Sequence, residues 1–249
     1  MNKIKIAECI NKESLNKLII NDNEIIIKED GNFIFRVDHL EDYDLNIKIL
    51  KNVNVLIEEI NTSRNININY TYELEENSHL IINKFYDVVN LDENDNIYLN
   101  NINANIDFNL KIISKESNKF LINAYHNACN TVGNINTKGV SIQDGNITLD
   151  VSSYIPNGIK GCIANQINHI VSLNDKKNII KPNLYIDEED VIANHSAFIG
   201  KFDEEIIFYL ESRGLNEDEA INLLIKGFLN SENDMEKEII NKYWRWLNE

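Results

Sequence analysis

Proline is nearly absent from this 249-residue chain, which carries 2, and glycine is sparse at 9. Antiparallel sandwiches and barrels usually turn their hairpins on glycine- and proline-rich pairs, so this shortage weighs against a long series of tight hairpins. The 3 cysteines, Cys9, Cys129 and Cys162, stand far apart and form no C-x-x-C pair. That spacing argues against a disulfide framework and against a self-contained metal site. Positive charge is also short: 24 Lys and Arg face 40 Asp and Glu, for a net charge of −16. A phosphate-binding surface needs clustered cations, so nucleic-acid binding is not expected. No apolar run approaches the ~18 residues that suggest a membrane span. The opening MNKIKIAECINKES has no sustained apolar stretch of the signal-peptide kind. The expectation is a cytoplasmic protein with reduced thiols and no membrane contact.

What is present is a long series of short, β-branched runs. From Glu24 onward EIIIKED, GNFIFRVD, LNIKIL, VNVLIEEI, NININYTYEL and HLIINKFYDV are largely period 2 and are bounded by Asn, Asp, Glu or Gly. The theme continues through IYLNNINANIDFNLKII, KFLINAYHNA, TVGNINTKGVSI, NITLDVSSYI, GCIANQINHIVSL and NLYIDEEDVIA. About a dozen strands at ~8–12-residue spacing indicate an all-β body. An AT-rich coding sequence is the simplest source of the abundant Asn and Ile; their alternation is a separate matter. Polar corners and stackable asparagines suit a parallel β-helix, which pattern alone places slightly ahead of a sandwich.

Helical pattern flanks this body. SLNKLII, ending at Ile20, reads as a short N-terminal helix. After Phe202 the chain turns helical: DEEIIFYLESRG has Asp203 as N-cap and Gly214 as a C′ stop. Asn216 to Glu219 resembles a capping box before AINLLIKGF, and DMEKEIINKYWRWLN is a third helix with one apolar stripe, including Tyr243 and Trp244. The expected division is a short helical segment over 1–22, a β core over 23–202 and a helical module over 203–249.

One segment carries specific motifs. Gln166 and Asn168 lie in ANQINHIVSLNDKK; KPNL follows at 181–184, DVIANHSAFIG at 190–200, FYLESRGLNEDEA at 208–220 and LLIKGF at 223–228. In order, spacing and strand-to-helix context this stretch resembles the SufB/SufD family, scaffold subunits of the SUF iron–sulfur cluster assembly system. The resemblance implies a mostly β fold, a right-handed parallel β-helix with a C-terminal α-helical module. It implies a scaffold rather than an enzyme, paired with a SufB/SufD-type partner or with itself as a dimer, and worked by a SufC-like ABC ATPase. The chain carries no GxxxxGK[ST] of its own. It further implies a transient iron–sulfur cluster held at the dimer interface, with His195 as a metal-binding residue, since neutral imidazole is a known iron ligand. Cys162 is a second cluster-binding candidate. Phe208, Tyr209, Arg213 and Gly214 fall in the region that docks the ATPase, where aromatic and Arg side chains make good anchors. SufB-type members carry Cys after the glutamine and Glu after the histidine; Ile167 and Ser196 stand there instead, which favours a SufD-like reading.

Other constellations carry less. Glu188, Glu189 and Asp190 read as a solvated corner, because adjacent acids on a strand face opposite ways and make no glycosidase pair. LDENDNIYL lacks the central Gly of a calcium loop and reads as a polar turn. His126 and Cys129 are too few for a metal. The competing readings are a β-helix carbohydrate-active enzyme and a purely structural ATPase partner that binds no iron.

Overall fold

The computed structural model describes residues 16–37 and 41–229. In chain order the strands are β1 (Leu18–Asn21), β2 (Glu24–Ile27), β3 (Gly31–Val37), β4 (Tyr43–Ile49), β5 (Asn54–Asn61), β6 (Arg64–Leu74) and β7 (His79–Leu99). They continue with β8 (Asn105–Ser114), β9 (Ser117–His126), β10 (Val132–Ser141), β11 (Asn146–Ile155), β12 (Ile163–Ser172), β13 (Ile179–Ile186) and β14 (Ile192–Gly200). Two helices follow, α1 (Glu204–Ser212) and α2 (Glu217–Leu229).

The strands wind into a β-solenoid of about 6 turns. One wall stacks β2, β4, β6, the second half of β7, β9, β11 and β13 in parallel; the other stacks β3, β5, the first half of β7, β8, β10, β12 and β14. Period-2 patterning explains this geometry: alternate residues face the lumen, and each coil buries them against the next. Ile25, Ile47, Tyr72, Ile97 and Ala124 form one such lumen row, each fully buried. Each buried Ile of this kind contributes roughly 1.5–3 kcal/mol. The coils lengthen along the chain: Glu24 pairs with Asn46, 22 residues on, whereas Val132 pairs with Ile163, 31 residues on.

Asparagine supplies the corners that glycine would otherwise fill. Asn52, Asn65, Asn77, Asn90, Asn103 and Asn130 all adopt positive φ, between 52° and 60°, a region that Asn tolerates better than most residues. Their side chains also form ladders: Asn77 Nδ2 donates to Asn52 Oδ1 at 3.0 Å, and Asn103 Nδ2 to Asn77 Oδ1 at 2.8 Å. On the outer wall Asn194, Asn165, Asn134 and Asp107 are linked amide to oxygen at 3.1, 3.0 and 2.8 Å. A parallel column of stacked rings, Tyr98, Tyr125, Tyr154 and Tyr185, repeats at 5.0, 4.8 and 4.8 Å, the spacing of adjacent strands. Pro182, one of the chain's two prolines, sits in β13, the outermost strand of its wall.

Two expectations need correction. The SLNKLII helix does not form over its described part: Leu18–Asn21 is a strand, paired antiparallel with β2 across Asp22–Asn23. The consecutive isoleucines prefer an extended partner to an isolated short helix. The LDENDN stretch is not a turn but lies inside β7, with Glu93 and Asp95 buried in the lumen. The third helix expected over 234–248, with Trp244 and Trp246, lies outside the described residues, as does Cys9.

Both described helices start as read. Asp203 accepts from the Glu205 N–H at 2.9 Å. At α2, Asn216 N–H donates to Glu219 Oε2 at 2.7 Å while Glu219 N–H donates to Asn216 Oδ1 at 2.9 Å, a reciprocal capping box. Helix α2 lies on the outer face of the second wall, where Leu229, Ile225 and Phe228 pack with Ile60, Phe85, Ile113 and Val140. Lys138 Nζ donates to the Phe228 carbonyl at 2.8 Å, taking up one of the orphan acceptors of the helix end.

Candidate functional site

The solenoid is open at its C-terminal end. Among the described strands β13 pairs only with β11, and β14 only with β12. His195 lies in β14, in register with Gln166 of β12. Ala164, Gln166 and Asn168 are buried lumen residues, so their partners Ala193, His195 and Ala197 occupy the lumen-facing row of the last coil. Among the described residues no further coil covers that row, and His195 is exposed.

Beneath it lies a polar floor. The Gln166 carboxamide is buried and reaches across the lumen: Nε2 donates to Ser153 Oγ at 2.9 Å and to the Asn183 carbonyl at 3.1 Å. Its Oε1 is buried with no hydrogen-bond partner among the described residues. Asn168 Oδ1 accepts from Thr137 Oγ1 at 2.8 Å, and its amide reaches the Ser196 carbonyl at 3.4 Å, tying β12 to the histidine strand.

Cys162 is not brought to His195. It is buried just before β12, four residues ahead of Gln166, the register partner of His195, and so ~13 Å along the strand direction from it. Its Sγ lies 3.2 Å from Thr131 Oγ1, which is itself 2.8 Å from His126 Nδ1. Burial pushes His126 down to about 4, so that ring is neutral at pH 7. Among the described residues no three His, Cys, Asp or Glu side chains converge as a metal-binding group.

The docking candidates lie on α1, which buries none of its residues. Phe208 is 72% exposed and Tyr209 55%. The Arg213 guanidinium stands 5.2 Å from the Tyr209 ring centroid, within cation–π range. Gly214, at φ +98°, closes the helix: its N–H bonds Glu211 O at 2.9 Å and Leu215 N–H bonds Leu210 O at 3.4 Å, the Schellman pattern.

Sequence reasoning missed a buried charged cluster in the lumen. Lys84 Nζ donates to Glu93 Oε1 at 2.7 Å and Asp95 Oδ1 at 2.6 Å, and stands 3.9 Å from the Tyr70 ring centroid. Glu59 Oε1 accepts from Tyr70 OH at 2.9 Å and Tyr86 OH at 2.6 Å. Burial, then the charge of Asp95, raises Glu93 well above the ordinary carboxyl range; burial likewise raises Glu59. Burial alone would lower Lys84, but Asp95, Glu93 and Glu59 outweigh it and keep the ammonium charged. The available signal was the period-2 alignment of Leu91, Glu93, Asp95, Ile97 and Leu99 on one face.

The chain is similar to proteins of known family over much of its length. A profile described as SUF system FeS cluster assembly, SufBD core domain, matches residues 59–228. Bacillus subtilis iron-sulfur cluster assembly protein SufD is 31% identical over 116 residues, 46% of this chain and 26% of its own length. B. subtilis SufB is 30% identical over 105 residues, 42% of this chain and 23% of its own. Escherichia coli SufD is 46% identical over 48 residues, 19% of this chain and 11% of its own. The matched stretch thus spans about a quarter or less of these relatives.

Proposed function

Because the chain belongs to the SufB/SufD family of iron–sulfur cluster assembly proteins, we propose that it is a cytoplasmic, SufD-like scaffold subunit on which a nascent cluster is built as cargo. His195 supplies a ligand from the open end of the solenoid. The unpaired edges of β13 and β14 meet a SufB/SufD-type partner or a second copy, which completes the ligand set. Helix α1 docks a SufC-like ABC ATPase through Phe208, Tyr209 and Arg213, with Gly214 fixing the helix end. The ATPase supplies the work, and the scaffold itself catalyses no reaction.

The observation that carries this reading is the exposure of His195 on the lumen-facing row of the terminal coil. An imidazole there meets cargo and a partner at once, whereas a histidine kept for packing would be covered. Exposed aromatics on a helix with no buried side chain support the docking half of the reading.

The test is anaerobic reconstitution of the full chain with ferrous iron and sulfide, alone and with its co-purified partners. His195→Ala is expected to keep its circular dichroism and melting temperature while losing cluster assembly. Normal assembly by that variant removes the ligand role. A wild-type chain that binds the ATPase but never iron is instead a structural subunit.

A further inference from the structure

Gln166 holds its side chain in an unusual state. Both acceptors within reach of its amide nitrogen, Ser153 Oγ and the Asn183 carbonyl, are engaged, at 2.9 and 3.1 Å. Asn183 O can only accept, which fixes the amide orientation: the nitrogen faces the far wall, and the oxygen is the free end. That oxygen is buried and has no partner among the described residues, an arrangement that is unfavourable unless something else meets it. Its register neighbour on the last coil is His195, one strand spacing away on the same lumen-facing row.

An orphan carbonyl-type oxygen and an imidazole nitrogen share one preference. Each offers a lone pair to a cation, the imidazole from its unprotonated nitrogen. A divalent iron accepts both donors, whereas an anion such as sulfide would find no donor on the orphan oxygen.

We propose that the mouth of the solenoid is a loading site for the metal half of the cargo, with Gln166 Oε1 and His195 as the two protein ligands of one ferrous ion before sulfur arrives. The proposal rests on the reading of His195 as a ligand. Two protein donors leave the remaining positions to water or to a partner, so binding by the isolated chain is weak and the ion is readily handed on.

The test is calorimetric titration of the full chain with ferrous iron alone, under anaerobic conditions and without sulfide or partners. Wild type is expected to bind one ion per chain. His195→Ala should abolish binding. Gln166→Met, of similar shape and without the oxygen, should bind at least tenfold more weakly. Gln166→Glu keeps an oxygen at the same reach and should bind more tightly than Gln166→Met, a contrast that holds even if the Met variant folds poorly. Sulfide alone should give no heat of binding. Unchanged affinity in Gln166→Met, alongside loss in His195→Ala, overturns the role of Gln166 and leaves His195 standing. Full affinity in His195→Ala, or no iron binding by wild type, overturns both.

Discussion

Lys84 Nζ sits 2.6 Å from Asp95 Oδ1 inside the solenoid, where neither side chain reaches solvent. Glu93 takes a second proton of the same ammonium at 2.7 Å. One cation therefore ties the two halves of β7, which leaves one wall and joins the other. Removing one partner of a buried pair strands the others without water. Lys84→Met is expected to destabilise the fold by about 3–5 kcal/mol, whereas adding Glu93→Leu and Asp95→Leu to it should restore most of the loss. Urea unfolding of the single and triple variants checks this, and an unaltered midpoint in Lys84→Met contradicts it.

Glu93 gives the protein a pH dependence of definite sign. Burial, then Asp95, raises its carboxyl well above the ordinary 4.5, so the folded state keeps a proton that the unfolded chain gives up. Its stabilisation is complete below that ordinary value and is lost as pH rises through the folded value. The urea midpoint should fall with rising pH on this limb, and Glu93→Gln should flatten it.

His126 acts in the opposite sense. Burial lowers its pKa from 6.5 to about 4, so its contribution is present above 6.5 and disappears as pH falls toward 4. The loss amounts to at most about 3 kcal/mol. Denaturant midpoints measured across that window should decline toward acid in wild type and decline less in His126→Gln.

The corner asparagines can be dissected into backbone and side-chain parts. Asn77 combines φ +54° with ladder bonds to Asn52 and Asn103. Asn77→Gly keeps the backbone freedom and loses only the ladder. Asn77→Ala loses both, and the left-handed conformation adds roughly 1–2 kcal/mol for a residue with a Cβ. Thermal melts should rank wild type, then Gly, then Ala; equal Gly and Ala values would show that backbone conformation does not matter there.

The docking surface proposed for α1 should separate from stability. Phe208 and Tyr209 touch little of their own protein, so Phe208→Ala or Tyr209→Ala is expected to shift stability by no more than about 0.5 kcal/mol while abolishing co-purification with the ATPase. Retained co-purification in both variants would place the contact elsewhere.

Much of the fold was legible because a solenoid repeats one instruction. The period-2 runs of β6, β8 and β11 say strand locally, and the sparse glycine says that few tight hairpins join them. The capping box at Asn216 and the stop at Gly214 were readable residue by residue, since caps are local chemistry. What was hidden depends on distant coils. Leu18 to Asn21 turned out extended because β2 lies alongside, a partner that a helical window does not see. Glu93 and Asp95 looked like turn residues because burying carboxylates is costly, and only Lys84, on the opposite wall, makes their position tolerable. At the open end, the motif around His195 was recognisable, but nothing in the sequence revealed that Ser153 and Asn183 would pin the amide of Gln166 and leave its oxygen free.

Pro182 has a consequence for assembly. A proline in the outermost strand of the first wall offers no N–H to any newcomer at that position, whereas the neighbouring edge, β14, contains no proline at all. A strand added along β13 would lack one backbone donor there, a gap that the flank bearing His195 does not share. Scarcity of a residue type thus leaves a mark on position: of the two described terminal strands, only β13 is interrupted by a proline.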